Sequence, residues 1–149
     1  MAGQTVFAED LLVGESHRLG SMTLTEAQIV EFAAQWDPQS FHIDRSAARE
    51  GLFNGIIASG IHTLAVAQRL TVQSVLGRWS VIAGRRLRDV DFFAPVRPDD
   101  ELSGTVVVNK VDFGGRGRAL VTYTTELVNQ DNITVLRVAI EAYIRTRPQ

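Results

Sequence analysis

The sequence predicts an α+β fold in which a long antiparallel sheet wraps a buried central helix, and three observations predict it. Helical periodicity is confined to the first half of the chain, where it ends in a segment at about 60–76 that is apolar on nearly every side. Four strand-like runs follow. The turns between the last three of them, Gly114-Gly115 and Asn129 to Asn132, have hairpin composition, so neighbouring strands run antiparallel. A helix apolar all round needs a cover, and these strands are long enough to supply it.

The 149 residues fit one domain, 1–149, which buries roughly two thirds of its unfolded surface without help from disulfides or metal. Cysteine is absent, which removes disulfides, thiolate zinc sites and a cysteine nucleophile. The net charge of −2 offers no field for a polyanion, so nucleic acid is not an expected partner. No stretch reaches the ~20 apolar residues of a membrane span. Residues 1–12 carry Glu9 and Asp10 and lack the basic start and apolar core of a secretory signal. A cytoplasmic protein is the expectation.

Taken in order, Thr25-Glu26-Ala27-Gln28 has capping-box spacing, with Thr23 and Glu26 as the alternative start. Ile29, Phe32, Ala33 and Trp36 recur at helical spacing until Asp37-Pro38 stops the run. A loop is expected from Asp37 to about Asp44, then a short helix from Arg45 to Glu50 ended by Gly51. In the central helix, Ile61, Leu64, Ala65, Val72, Val75 and Leu76 make one face. The first strand runs from Trp79 to Phe93, its alternation disturbed between Gly84 and Asp89. In the next, Leu102, Val106 and Val108 share a face, followed by Ala119, Val121, Tyr123 and Leu127. The cleanest alternation is Leu136, Val138, Ile140, Ala142 and Ile144, with Arg137, Glu141, Tyr143 and Arg145 between them.

Three segments carry a resemblance. Phe32 to Asp44 contains Asp37 and, five positions on, His42, with Asp44 after it. Gly55 to Thr63 includes Ser59-Gly60 at the start of the central helix. Val90 to Asp100 is a strand and turn ending in an acidic residue. In order and spacing, over residues 10–145, these resemble the MaoC-like (R)-specific enoyl-CoA hydratases and dehydratases, which have the hot-dog fold. The resemblance implies a lyase that adds water to a 2-enoyl-CoA or removes it from a 3-hydroxyacyl-CoA, in fatty acid metabolism. Many (R)-specific hydratases have Gly before the Asp, and Asn-Pro after the residue that follows it. Here Trp36 precedes Asp37, Pro38 follows it, and Gln39 takes the Asn position, which marks a distinct branch.

Hydration of an enoyl thioester needs proton transfer at the water and at the α-carbon, and donors for the enolate oxygen. By the resemblance, Asp37 and His42 hold the water jointly. Gly60 offers its backbone N–H to the thioester oxygen at a helix N-terminus. Ser59 borders the substrate, and Arg85, Arg86 and Arg88 are candidates for the CoA phosphates.

Plainer readings stand beside these. Asp37 alone is a helix-stopping Asx residue, His42 a loop histidine, and Ser59-Gly60 an N-cap with a close-packing glycine. The arginines equally describe a solvated strand face. His62 reads as a core filler, His17 as surface, and Trp36 and Phe41 as pocket wall or core. His42 and Asp44 look like part of a metal chelate, but no third ligand is evident, so no metal is expected. The coenzyme A of the substrate is the only cofactor implied. A hot-dog thioesterase and a non-catalytic acyl-binding module are the rival functions. The resemblance also implies a homodimer or higher homo-oligomer, two sheets joining edge to edge.

Overall fold

The computed structural model describes residues 3–149. Met1 and Ala2, the start of the stretch read above for a secretory signal, lie outside the described residues. The first elements are a 3-10 turn at Ala8–Asp10 and two short strands, β1 (Ser16–Arg18) and β2 (Met22–Thr23). Strands this short show no period in a sequence; of the three elements, only an edge-like segment around His17 was expected.

Helix α1 (Glu26–Trp36) begins at Thr25 and not at Thr23. The Thr25 hydroxyl accepts from the Gln28 N–H at 3.2 Å, and the Gln28 side chain accepts from the Thr25 N–H at 2.9 Å. Ile29 and Ala33 face the core. Trp36 is neither core nor pocket wall: as the last residue of the helix it lies past the packed turns and is 67 % exposed. The expected loop contains one helical turn, α2 (Ser40–Ile43), before α3 (Arg45–Glu50). Asp44 caps α3 by accepting from the Ser46 and Ala47 N–H groups.

Helix α4 (Gly60–Thr71) continues as a π turn, Val72–Leu76, so the helical segment does run from 60 to 76. Its phase differs from the sequence reading. The buried face is His62, Thr63, Val66, Ala67, Leu70 and Thr71, whereas Ile61, Ala65 and Val72 are exposed. Apolar residues on every side leave the buried face undetermined, and here His62, Thr63 and Thr71 share it with Val66, Ala67 and Leu70. Thr63 and Thr71 make this tolerable by donating their hydroxyls to the carbonyls of Ser59 and Ala67 one turn back.

The four long strands are β3 (Val81–Phe92), β4 (Glu101–Phe113), β5 (Arg118–Val128) and β6 (Thr134–Arg145). They form an antiparallel sheet in the order β1-β4-β5-β6-β3, with β2 on the end of β4. The inward residues of β4 and β5 are those the alternation selects; in β6 the selected residues are buried, and so are Val135 and Glu141 on the opposite face. Arg116, Gly115 and Gly117 take positive φ in the first hairpin and Asn132 in the second, as these turns require. Strand β3 is the exposed edge, and of its three register shifts against β6 the last two, at Gly84/Arg86 and Arg88/Asp91, fall where the sequence pattern breaks. Central helix and curved sheet together form the hot-dog arrangement. Among the described residues no helix is long and apolar enough to cross a membrane.

Candidate active site

Pro38 ends α1, and the turn of α2 that follows swings the next side chains back toward the start of α4. Two carboxylate and imidazole atoms then meet: Asp37 Oδ2 lies 3.4 Å from His42 Nε2. The His42 side chain is almost wholly buried, while that of Asp37 is 21 % exposed. His42 Nδ1 donates to the Ile57 carbonyl at 2.6 Å, since a carbonyl only accepts. In the neutral ring this leaves Nε2 as a lone pair directed at the carboxylate.

Asp37 is held on both oxygens. The Ser59 hydroxyl donates to Oδ2 at 2.6 Å and the Gln39 amide donates to Oδ1 at 2.8 Å. These two bonds, Ser59 first, hold the Asp37 carboxyl below its ordinary pKa; partial burial opposes them, and His42 assists when its ring is protonated. The group therefore works as an anion.

The pair opens into a cavity of about 500 Å³. Asp37, His42, Gly60, Phe41, Phe92 and Val96 are on its wall. Gly60 opens α4, so its N–H is one of the first-turn donors that have no carbonyl of their own helix to meet. Phe92 covers this point closely: a methyl added at Gly60 would sit 2.8 Å from Phe92 Cζ.

The structure thus brings Asp37, His42 and Gly60 to one cavity. Ser59 is placed differently from its expected substrate contact. It is 0 % exposed, and its hydroxyl donates to Asp37 while accepting from the Ile61 N–H at 3.2 Å. It caps α4 and positions the carboxylate. Arg85, Arg86 and Arg88 are not on the cavity wall; they gather on Glu141 of β6, at 3.0, 4.0 and 2.7 Å. The Arg88 hydrogen bond, then the three positive charges, keep this carboxyl below its ordinary pKa. Three cations on one anion leave an excess of positive charge.

Asp100, the acidic end of the strand-turn segment, accepts from the Arg97 N–H and the Gln130 amide, and so fastens a turn. His62 is buried and stacks on Phe32 at 4.3 Å; burial lowers its pKa and favours the neutral ring. His17, read as surface, is partly buried beside Glu15. Among the described residues no group of three acidic, histidine or cysteine side chains is placed to hold a metal. Two contributors gave no local signal: Ile57, because a carbonyl leaves no mark on a sequence, and Phe92, because its place over Gly60 arises only when β3 folds back.

Comparisons with known proteins agree with this fold. The family model described as the MaoC like domain matches residues 10–130. The YdeM protein of Bacillus subtilis is 31 % identical over 137 residues, covering 92 % of this chain and 97 % of its own. The solved MaoC-like dehydratase from Rhodospirillum rubrum superposes with a TM-score of 0.88 at 35 % identity, covering 97 % of this chain and 99 % of that one. An (R)-hydratase from A. caviae involved in PHA biosynthesis superposes with a TM-score of 0.73 at 25 % identity, covering 93 % and 99 %.

Proposed function

The chain belongs to the MaoC-like domain family, and on that premise we propose that it adds water to a 2-enoyl-CoA or removes it from a 3-hydroxyacyl-CoA. The observation that carries this reading is the Asp37–His42 pair at 3.4 Å, opening on an apolar cavity at the N-terminus of α4. An anionic carboxylate and an imidazole lone pair are both acceptors. A water bound between them points its two hydrogens at Asp37 Oδ2 and His42 Nε2 and turns a lone pair toward the substrate. Its oxygen bonds to the β-carbon as the double-bond electrons move toward the thioester. One water proton is shed to the pair and reaches the α-carbon, so the product gains one H and one OH. The negative charge that passes through the thioester oxygen is met by the Gly60 N–H, where the helix dipole favours an anion.

Purified protein incubated with crotonyl-CoA tests this reading. Loss of enoyl absorbance is the expected result. Release of free thiol instead would make it a thioesterase, and neither change across a panel of enoyl-CoA esters would leave an acyl-binding module.

Ser59 supplies a finer test. Ser59→Ala removes the largest influence that lowers the Asp37 pKa, so that pKa rises toward the ordinary carboxylate range. The acid limb of the kcat/KM profile should then move to higher pH, and a purely structural role for Ser59 would lower the profile without moving it.

The arginine cluster is proposed as the phosphate contact for coenzyme A, supported by its excess of positive charge. Replacing all three arginines would uncover Glu141 and remove all its partners at once, so the informative change is Arg86→Ala, which removes the cation farthest from Glu141. KM should rise about two- to five-fold with kcat nearly unchanged, and the rise should shrink at high salt. An unchanged KM returns Arg86 to a solvated strand face. The proposed quaternary state is a homodimer joined along β3, supported by that strand's unpaired edge and by the exposed Val81, Leu87, Phe92 and Phe93 on and just beyond it.

A further inference from the structure

His62 has no part in the chemistry above, yet it is buried in the first turn of α4 and its Nδ1 has no hydrogen-bond partner. An unmet buried nitrogen costs stability that an apolar side chain would not, so filling space does not account for a histidine there. Its ring lies flat on Phe32 of α1, with centroids 4.3 Å apart and planes 10° from parallel. Burial lowers its pKa and so keeps charge out of the stack.

The stack sits where the site is most sensitive to helix spacing. Helix α1 packs chiefly on α2 and α4, and α2 comes after Asp37 in the chain. The seam with α4 therefore sets where the end of α1 lies. Asp37 rides on α1, because its N–H donates to the Ala33 carbonyl at 2.8 Å. Ser59 rides on α4: its carbonyl accepts from the Thr63 N–H at 3.1 Å and its hydroxyl from the Ile61 N–H. The 2.6 Å bond from Ser59 to Asp37 thus ties the two helix ends together. The His62–Phe32 stack ties the same helices about one turn farther in. Opening the seam by about 1 Å would take the Ser59 bond out of range.

We infer that His62 is a positioning residue: its stack on Phe32 fixes the spacing between α1 and α4 at which the Ser59 hydroxyl reaches the Asp37 carboxylate. This rests on the Asp37–His42 reading above for its consequence in catalysis, not for the contact itself. Without the stack the seam loosens, and the bond that does most to hold Asp37 as an anion weakens with it.

The Asp37 carboxyl can be read directly, by NMR titration of carboxyl-labelled protein without substrate. His62→Leu and Phe32→Leu each keep an apolar side chain and remove one ring of the stack. Each should raise the Asp37 midpoint at least about half as far as Ser59→Ala does. Combined with Ser59→Ala, His62→Leu should add little, because both act through one bond. His62→Leu should melt no lower than wild type, since it also removes the unmet Nδ1, and Phe32→Leu gives the same reading should that variant fail to fold. On a verified enoyl thioester, the acid limb of kcat/KM should move to higher pH together with the midpoint. A wild-type Asp37 midpoint in the leucine variants, or a shift that adds in full to that of Ser59→Ala, overturns the inference and leaves His62 a core filler. Absence of crotonyl-CoA turnover would sink the hydratase reading and leave this titration unaffected.

Discussion

Asp37→Asn and His42→Ala are each expected to lower turnover of a verified enoyl thioester by ~10²-fold or more, the usual scale for losing acid–base help. Asn keeps the shape of Asp37 but removes the anion that Ser59 and Gln39 are arranged to stabilise. Its amide also presents hydrogens where the water requires an acceptor. His42→Ala removes the Nε2 lone pair and deprives the Ile57 carbonyl of its donor. Because one water needs both groups at once, the double variant should be little worse than either single one. The pH dependence of stability separates the carboxylate's two roles. The depressed pKa of Asp37 contributes stability above the ordinary carboxylate range, and this is lost as pH falls through the native value. The Asn variant should lose activity and also this part of the acid dependence, seen as urea midpoints that converge with wild type in acid. Either single variant retaining more than half the wild-type rate would remove the pair from the mechanism.

That pair was legible through the resemblance, which rests on a local motif. Asp37 and His42 lie five positions apart on one loop, and a single helical turn suffices to aim both at the same point. The residues that fix their chemistry are farther away: Ser59 is 22 positions from Asp37, and Ile57 is 15 from His42. No periodicity reports such distances. The same division runs through the fold. Strands β4 and β5 bury alternate residues, so their inward faces follow from a period of two. Strand β6 follows it less well, because Val135 and Glu141 are buried on the side that alternation assigns to solvent. Glu141 is covered by Arg85, Arg86 and Arg88 of β3, a pairing made by sheet order and not by neighbours in the chain. For α4 the period was correct and its phase was not. An all-round apolar helix carries no polar stripe to mark the outside, and Ile61, left exposed, lines the active-site cavity.

Gly60→Ala is expected to cut kcat/KM at least ~10-fold, about 1.4 kcal/mol of lost transition-state stabilisation. The change keeps the backbone N–H and adds one methyl where the thioester must approach. Helix propensity favours alanine, and Gly60 does not need positive φ, so the backbone itself does not resist the change. The obstacle is Phe92, whose ring carbons would lie 2.8 to 3.2 Å from the new methyl. Phe92 is about half exposed, so its ring can swing aside at modest cost. Two causes could then reduce activity: the methyl blocking the thioester, or the displaced ring reshaping the cavity mouth. A double-mutant cycle with Phe92→Ala separates them. If the thioester lies against Gly60, the methyl must cost about the same ~10-fold with the ring already gone. If the penalty disappears in the Phe92→Ala background, the glycine exists to seat the ring, and the oxyanion donor lies elsewhere. Melting temperatures of all four proteins guard the comparison, because a Gly60→Ala protein that loses structure would report packing and not chemistry.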